Sequence, residues 1–147
     1  MSPGLLHLLE RGVCKNVTIL LARICGLTSC AEKISPEEIF ITLNSYVSTM
    51  IQSVLDEGGM VDKIMGDTVM SLFGVLPTTE KAPVHAIDAA IKMIEAVKEL
   101  SKVKPEKECC TFDTGIGIAS GSVSLGIIGS KNDKTFVAVG QYVNLAQ

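Results

Sequence analysis

Apolar residues change their spacing from one segment of the chain to the next, and this spacing predicts alternating strands and helices. Residues 17–24 form a mostly apolar run whose centre is expected to be buried on both faces of a sheet. Ser35 and Pro36 precede two glutamates, which predicts a helix start because Ser caps the first turn and acids favour its positive end. Apolar residues then recur on one helical face: Ile39, Phe40, Leu43, Tyr46, Val47, Met50, Ile51, Val54 and Leu55. Gly58 and Gly59 predict the end of this helix.

A hairpin is predicted at about residues 60–73. The sequence DKIMGDTVMSLF at residues 62–73 has two short alternating apolar runs on either side of Gly66 and Asp67. Glycine reaches backbone angles that other residues avoid, so the Gly–Asp step suits a tight turn. The turn would hold the Asp67 carboxylate at a strand end, four residues after Lys63.

The second half of the chain predicts one more long helix and three more strands. The helix covers about residues 83–101, and the strands cover 111–118, 122–127 and about 134–139, the first two joined at Ser120 and Gly121. Gly140 is then expected to open another helix. This order predicts an α+β fold, a ferredoxin-like sandwich whose antiparallel-dominated sheet has helices on one face.

Composition and charge exclude several classes of function. With 147 residues, 47% of them hydrophobic, the chain is long enough for one domain with a real core. The net charge is −3 and no basic cluster is present, which argues against a nucleic-acid binder. The longest apolar stretch, residues 17–22, is too short for a transmembrane segment. The start lacks the basic region of a signal peptide, so we expect a cytoplasmic protein.

Cysteine and histidine residues give little reason to expect a metal site. The five cysteines are odd in number and form no CxxC pair, so we expect reduced thiols and no zinc centre. Cys109 and Cys110 are expected to pack in a strand. His7 and His85 lie far apart, without an acid at ligand spacing.

Five segments together resemble the catalytic domain of class III adenylate and guanylate cyclases. They are VTILLARICGLTS, LNSYVSTMIQSVLDEGGMVDKIMGDTVMSLFG, HAIDAAIKM, GIGIASGSVSLGIIGS and VAVGQYVNLA, in the family's order and at its distances. The resemblance covers residues 15–147, after a lead-in or linker at 1–14, and implies that the domain stops before the family's last strands. It also implies conversion of a nucleoside triphosphate to a 3′,5′-cyclic monophosphate by a dimer, with two metal ions at an interfacial site.

The resemblance implies one metal-binding residue and shows the loss of another. Asp67 matches the carboxylate of the family's Gly–Asp hairpin. The family's other metal-binding acid, at the end of its first strand, is replaced by Arg23. At an effective dielectric constant near 20, one such charge about 4 Å away changes the energy of a cation by roughly 4 kcal/mol. We therefore expect weakened binding of Mg²⁺ or Mn²⁺; a turn-forming Asp67 without a metal role is the alternative.

The turn after the first strand matches the family's phosphate-binding segment, which here is Ile24, Cys25, Gly26, Leu27 and Thr28. Backbone N–H groups at a helix start suit an anion whatever the side chains are. Arg23, beside the turn, has two possible roles of equal weight. Its guanidinium could bind a phosphate directly, or it could pair with Asp67 across an inactive site.

The residues that match the family's base-reading and catalytic positions are mixed. Lys63 matches the residue that binds adenine, although a surface lysine is the simpler interpretation. Val137 replaces a second, polar base contact. Asn144 matches the Asn that orients the ribose or the reacting phosphate. The family's transition-state Arg lies four residues after that Asn, beyond Gln147.

These matches predict a degenerate cyclase domain that forms a homodimer, or a heterodimer with a competent cyclase half, and still binds a nucleoside triphosphate such as ATP. Two alternatives are an active adenylate cyclase that tolerates Arg23 and a pure protein-interaction domain. The apolar side chains of Tyr46, Met50 and Val69 are expected to form an exposed dimer interface.

Overall fold

The computed structural model describes residues 3–75, 81–103 and 112–146. The elements are α1 (Pro3–Arg11), β1 (Val13–Cys25), α2 (Leu27–Ala31), α3 (Pro36–Asp56), β2 (Met60–Met65), β3 (Thr68–Phe73), α4 (Ala82–Val103), β4 (Asp113–Ser130), β5 (Asp133–Val139) and α5 (Gln141–Leu145). The five strands form one sheet in the order β2-β3-β1-β4-β5, and every neighbouring pair is antiparallel. The predicted α+β fold with an antiparallel sheet is confirmed.

The long helix α3 begins where the sequence predicts. The Ser35 side chain accepts a hydrogen bond from the backbone N–H of Glu38 at 3.3 Å, and the Ser35 N–H donates to Glu38 Oε2 at 3.3 Å. This reciprocal pair satisfies two N–H groups that the helix itself leaves free. At the other end Gly58 has φ +74°, a conformation that favours glycine, and the chain turns into β2.

The central strand β1 divides the core in two, because its side chains alternate between the faces of the sheet. The helix face is the side that α3 and α4 cover; Leu20, Ala22 and Ile24 of β1 point to it. The cavity face is the opposite side, which α1 and α5 cover in part; it takes Val17, Ile19, Leu21 and, by the same alternation, Arg23. Burial on both faces confirms the prediction for β1, although the strand is longer than predicted.

The predicted turn at Ser120 and Gly121 is wrong, because β4 runs unbroken through both residues. Gly121 pairs with Val17 of β1, and a Cβ on Gly121 would collide with the ring of Tyr142 in α5. The glycine therefore provides room for a helix on the cavity face, and its turn-like composition has a packing cause.

The predicted interface residues Tyr46, Met50 and Val69 are not exposed. They are 4%, 0% and 0% exposed, respectively, and pack in the core of the helix face, so that prediction is wrong. Amphipathic spacing shows that a residue faces an apolar surface, but it does not say whether that surface belongs to the same chain.

Cysteine pairing also differs from expectation. Cys14 and Cys25 are free and exposed, whereas Cys30 in α2 is disulfide-bonded. The expectation of reduced thiols is therefore wrong at Cys30. Cys109 and Cys110 themselves lie outside the described residues.

Of the helices that the structure describes, none combines the length and the apolar character needed to cross a bilayer.

Candidate functional site

A tight hairpin brings Asp67 to the end of β1. Met65 pairs with Thr68, so Gly66 and Asp67 form a two-residue turn, and Gly66 has φ +61° as the Gly–Asp step predicts. The backbone N–H of Ile24 donates to the carbonyl oxygen of Asp67 at 3.0 Å. This hydrogen bond fixes the turn against the last residues of the central strand.

Arg23 and Asp67 face each other across this junction. Arg23 Nε donates to Asp67 Oδ2 at 3.4 Å, and Thr68 Oγ1 donates to Asp67 Oδ1 at 3.1 Å. Both carboxylate oxygens therefore have partners within the chain. The Arg23 side chain is 64% exposed and that of Asp67 is 24% exposed, so solvent screens the ion pair. Of the two predicted roles for Arg23, the structure forms the pair with Asp67.

An open cavity of about 520 Å³ lies beside this ion pair on the cavity face. Arg23 and Thr68 line the cavity with polar groups, and Gly115 and Gly117 line it from β4, the neighbouring strand of β1. Gly115 pairs with Arg23, and a Cβ on this glycine would meet only Cys25 Sγ at an ordinary 3.5 Å. A Cβ on Gly117 would collide with the carbonyl oxygen of Ala146, so this glycine lets the end of α5 approach the sheet. A polar ligand can therefore reach Arg23 and the Asp67 turn from the same side.

The predicted phosphate-binding turn leads directly from β1 into the short helix α2. Gly26 is the N-cap of α2 with φ +96°, and its carbonyl oxygen accepts a hydrogen bond from the Cys30 N–H at 3.2 Å. Ile24 is buried, Leu27 is half-buried, and Cys25 and Thr28 are exposed. The structure thus brings this turn, Arg23 and Asp67 together at one end of β1.

Lys63 lies on the same hairpin but has a partner that sequence reasoning missed. Its Nζ is 3.8 Å from Oδ2 of Asp62, whose side chain is 0% exposed. The pairing of β2 with β3 shifts between Val61 and Lys63, so Asp62 is the extra residue of a β-bulge. Neither carboxylate oxygen of Asp62 has a hydrogen-bond partner in the described part of the chain, and burial raises the pKa of this carboxyl group. The sequence signal that could have revealed this pair is an acid next to a lysine inside an otherwise apolar strand segment.

A second polar cluster connects the helices on the other side of the sheet. His85 Nδ1 is 3.0 Å from Glu57 Oε2, and Lys92 Nζ is 2.7 Å from Glu57 Oε1. The hydrogen bond from Lys92, then that from His85, lowers the pKa of Glu57, and the same carboxylate raises the pKa of Lys92. Sequence spacing does not reveal this contact of His85, because Glu57 lies 28 residues away and meets it at the end of α3.

Comparison with known proteins identifies the fold. Residues 9–147 match the family described as "Adenylate and Guanylate cyclase catalytic domain". The chain belongs to this family. The resemblance inferred from the five sequence segments is therefore confirmed.

Two curated adenylate cyclases and two solved cyclase structures illustrate the relationship. The chain is 35% identical over 139 residues to an adenylate cyclase of Anabaena cylindrica, and 33% identical over 134 residues to the terminal-differentiation-specific adenylate cyclase of Dictyostelium discoideum. It covers 26% and 6% of these proteins, and 90% and 91% of its own length. Against the adenylyl cyclase CyaB from P. aeruginosa the TM-score is 0.85 at 29% identity, covering 92% of this chain and 70% of that one. Against the guanylyl cyclase Cya2 the TM-score is 0.83 at 33% identity, covering 92% of this chain and 68% of that one.

The remaining predicted residues of the cyclase domain lie on β5 and α5. Val137 is half-buried on β5 and pairs with Gly126. Lys63 and Val137 belong to β2 and β5, the two edge strands of the sheet. Asn144 belongs to α5, and its side chain lies outside the described part of the structure. Their roles in reading the base and orienting the substrate remain predictions.

The donor set at the end of β1 does not fit a two-metal centre. Asp67 supplies one carboxylate, and its oxygens already contact Arg23 and Thr68. No cluster of three His, Cys, Asp or Glu side chains suited to a metal ion occurs within the described ranges. Hard divalent cations require several oxygen ligands, and the positive charge of the Arg23 guanidinium next to Asp67 repels them.

Proposed function

We propose that this chain is a degenerate half of a class III cyclase, which binds a nucleoside triphosphate and dimerises but converts ATP to cyclic AMP weakly or not at all. The observation that supports this proposal is the Arg23–Asp67 ion pair, 3.4 Å between Nε and Oδ2. We assign residues 15–147 as the cyclase-homology domain, in keeping with the sequence prediction.

The ion pair affects charge and ligation together. The guanidinium neutralises Asp67 from within the chain, and it occupies the position where the family resemblance places the first metal-binding acid. We expect Mg²⁺ or Mn²⁺ binding at this end of β1 to be weak.

The same arrangement still suits a phosphate. Arg23 is largely exposed at the edge of an open cavity, and its planar guanidinium can bind two phosphate oxygens at once. The adjacent turn contributes backbone N–H groups. In this proposal the triphosphate displaces Asp67 from Arg23, while Lys63 contacts the base and Asn144 orients the ribose. A guanylate cyclase domain from Catenaria anguillulae, similar in fold with a TM-score of 0.78, has been solved in complex with GTP.

Dimerisation is supported by exposed apolar side chains near the β2 edge. Ile64 and Met65 of the hairpin are 51% and 45% exposed, and Phe40 and Ile41 of α3 are 68% and 58% exposed. Ile64, Phe40 and Ile41 border an open groove of about 550 Å³. Contiguous apolar surface of this kind usually marks an interface. A guanylyl cyclase domain from Blastocladiella emersonii, which at 21% identity shows similarity of fold alone, has been solved both as a non-canonical dimer and as a monomer.

The test measures turnover and nucleotide binding in parent and Arg23 variants. The parent should form negligible cyclic AMP from ATP with Mg²⁺ or Mn²⁺, because stabilisation of the transition state by bound metal ions is worth several kcal/mol of barrier. Arg23→Asp should restore Mn²⁺-dependent binding of a non-hydrolysable ATP analogue in calorimetric titration. Arg23→Gln is the matched control, since it removes the positive charge without adding a ligand.

Three outcomes separate the alternatives. Robust cyclic AMP formation by the parent would show an active cyclase that tolerates Arg23. Absence of nucleotide binding in both the parent and Arg23→Asp would indicate a protein-interaction domain. A concentration-independent monomer in analytical ultracentrifugation would contradict the dimer.

A further inference from the structure

We propose that Asp62 is a positioning residue that fixes the ammonium group of Lys63 for recognition of the nucleotide base. This inference rests on the proposed function, because it assigns a partner to the residue that would read the base. Asp62 itself cannot touch a ligand, since its side chain is 0% exposed and neither carboxylate oxygen reaches solvent.

The β-bulge places the two side chains in contact. Neighbouring residues of a regular strand point to opposite faces, so a carboxylate and an ammonium at consecutive positions would normally diverge. The register of β2 against β3 shifts between Val61 and Lys63, and the extra residue at that point is Asp62. A bulge redirects one side chain relative to its neighbours. Here Nζ of Lys63 lies 3.8 Å from Oδ2 of Asp62.

Asp62 has no competing partner in the described part of the chain. A buried carboxylate normally accepts several hydrogen bonds, and one that accepts none is rare and needs an explanation. The Lys63 ammonium is the cation found within ion-pair distance of it. The attraction is strengthened by the low local dielectric around Asp62, whereas the 43% exposed Lys63 still presents its head group to solvent.

Fixing a lysine matters for base recognition because its free side chain is highly mobile. Lysine loses more rotamer entropy than most side chains when it is ordered, which weakens any contact that it makes only on binding. A buried anion on a rigid strand orders part of that side chain in advance. An ammonium only donates hydrogen bonds, so it suits N1 of adenine, an acceptor, and not the N1–H of guanine. Asp62 would therefore support preference for ATP over GTP through Lys63.

The first measurement does not depend on nucleotide binding. In the free protein, the reaction of each lysine with an amine-specific acylating reagent is followed by mass spectrometry. Asp62→Asn should raise the rate at Lys63 about 2- to 5-fold, because the amino group loses the ionic contact that restrains it. Lys98, an exposed residue of α4, is the internal reference and should be unchanged. An unchanged rate at Lys63 would overturn the proposal.

The second measurement separates positioning from a general structural role. ATP and inorganic tripolyphosphate are titrated into the parent, Asp62→Asn, Lys63→Met and the double variant. ATP binding should weaken about 2- to 5-fold in Asp62→Asn, while tripolyphosphate, which has no base, should bind as in the parent. The double variant should bind ATP no more weakly than Lys63→Met, because Asp62 acts through Lys63.

Each remaining result has a defined meaning. Equal weakening of ATP and tripolyphosphate in Asp62→Asn would show a structural role and overturn positioning. If Asp62→Asn does not fold, Asp62→Val replaces the buried charge with an apolar side chain suited to a strand, and the same criteria apply. A parent that binds neither ligand overturns the proposed function, and the acylation rate then decides separately whether Asp62 fixes Lys63.

Discussion

The helix face and the cavity face of the sheet are built from alternating residues of the same strands, yet they differ in almost every property. The helix face is closed by α3 and α4, and its central side chains, such as Met50, Phe73 and Met93, are fully buried. The cavity face is only partly covered, and near the end of β1 it presents Arg23, two glycines and an opening of about 520 Å³. Both faces contain a buried apolar core, but the cavity face also keeps polar groups accessible near the end of β1.

The polar contacts of the two sides follow the same division. On the helix side, Glu57 connects the end of α3 to His85 and Lys92 of α4 with hydrogen-bond distances of 2.7–3.0 Å. On the cavity face, Arg23 contacts Asp67 at 3.4 Å with most of its side chain in solvent. A short contact between two helices restrains packing, whereas a long, exposed one can be exchanged for a ligand.

Truncation of a fully buried residue on the helix face should produce the largest effect. Phe73 is 0% exposed, and its ring lies so close to Gly59 that a Cβ there would collide with it. Phe73→Ala should lower the free energy of unfolding by about 3–5 kcal/mol, because it removes transfer energy and leaves a cavity. Urea denaturation measures this change. Met65→Ala, at a 45% exposed residue beside the cavity, is the control and should cost less than about 1 kcal/mol.

Two glycines of the cavity face, two positions apart, allow a sharper comparison. A Cβ on Gly117 would collide with the Ala146 carbonyl oxygen, whereas a Cβ on Gly115 would meet only Cys25 Sγ at an ordinary 3.5 Å. Gly117→Ala should therefore lower the free energy of unfolding by about 1–3 kcal/mol by displacing the end of α5, and Gly115→Ala should change it little. Equal losses in the two variants would show that the approach of α5 does not control this face.

The pH dependence of stability tests the polar contact between the helices. The folded pKa of Glu57 is lowered, so its contribution to stability is present above the unfolded pKa, about 4.3, and is lost as the pH falls below it. Glu57→Gln should consequently make the urea midpoint fall less steeply between about pH 6 and pH 3. Lys92→Met removes the main cause of the shift and should flatten the same curve. An unchanged slope in both variants would show that Glu57 does not contribute to the pH dependence of stability.

The sequence predicts the elements better than it predicts their surroundings. The Ser35 cap, the two long helices and the Gly66–Asp67 turn follow from local chemistry, and the structure confirms them. The turn at Ser120 and Gly121 was wrong, since small residues suit both a turn and a close helix contact, and only the position of Tyr142 distinguishes these cases. The amphipathic residues Tyr46 and Met50 were assigned to an interface because their apolar stripe does not identify its partner.

The same limit applies to the candidate site. The resemblance to the cyclase family predicts Arg23, Asp67 and Lys63 as site residues, through the order of the motifs. Sequence reasoning did not single out Asp62, whose proposed importance comes from burial and a one-residue register shift in β2. The Glu57–His85 contact joins residues 28 positions apart and likewise could not be inferred from spacing.

The sequence by itself determined the family and most of the helices and strands, because these depend on residue identity and local backbone preference. Only the tertiary structure shows that Arg23 and Thr68 donate hydrogen bonds to different carboxylate oxygens of Asp67. It also shows that the buried Asp62 carboxylate lies 3.8 Å from Lys63 Nζ, and that Gly117 and Gly121 allow α5 to lie close to the sheet. Such facts depend on distances of a few ångströms between segments that are remote in the chain. Hydrogen bonds, desolvation and steric contacts all change over a few ångströms, and the pattern of residues along the chain does not specify these distances.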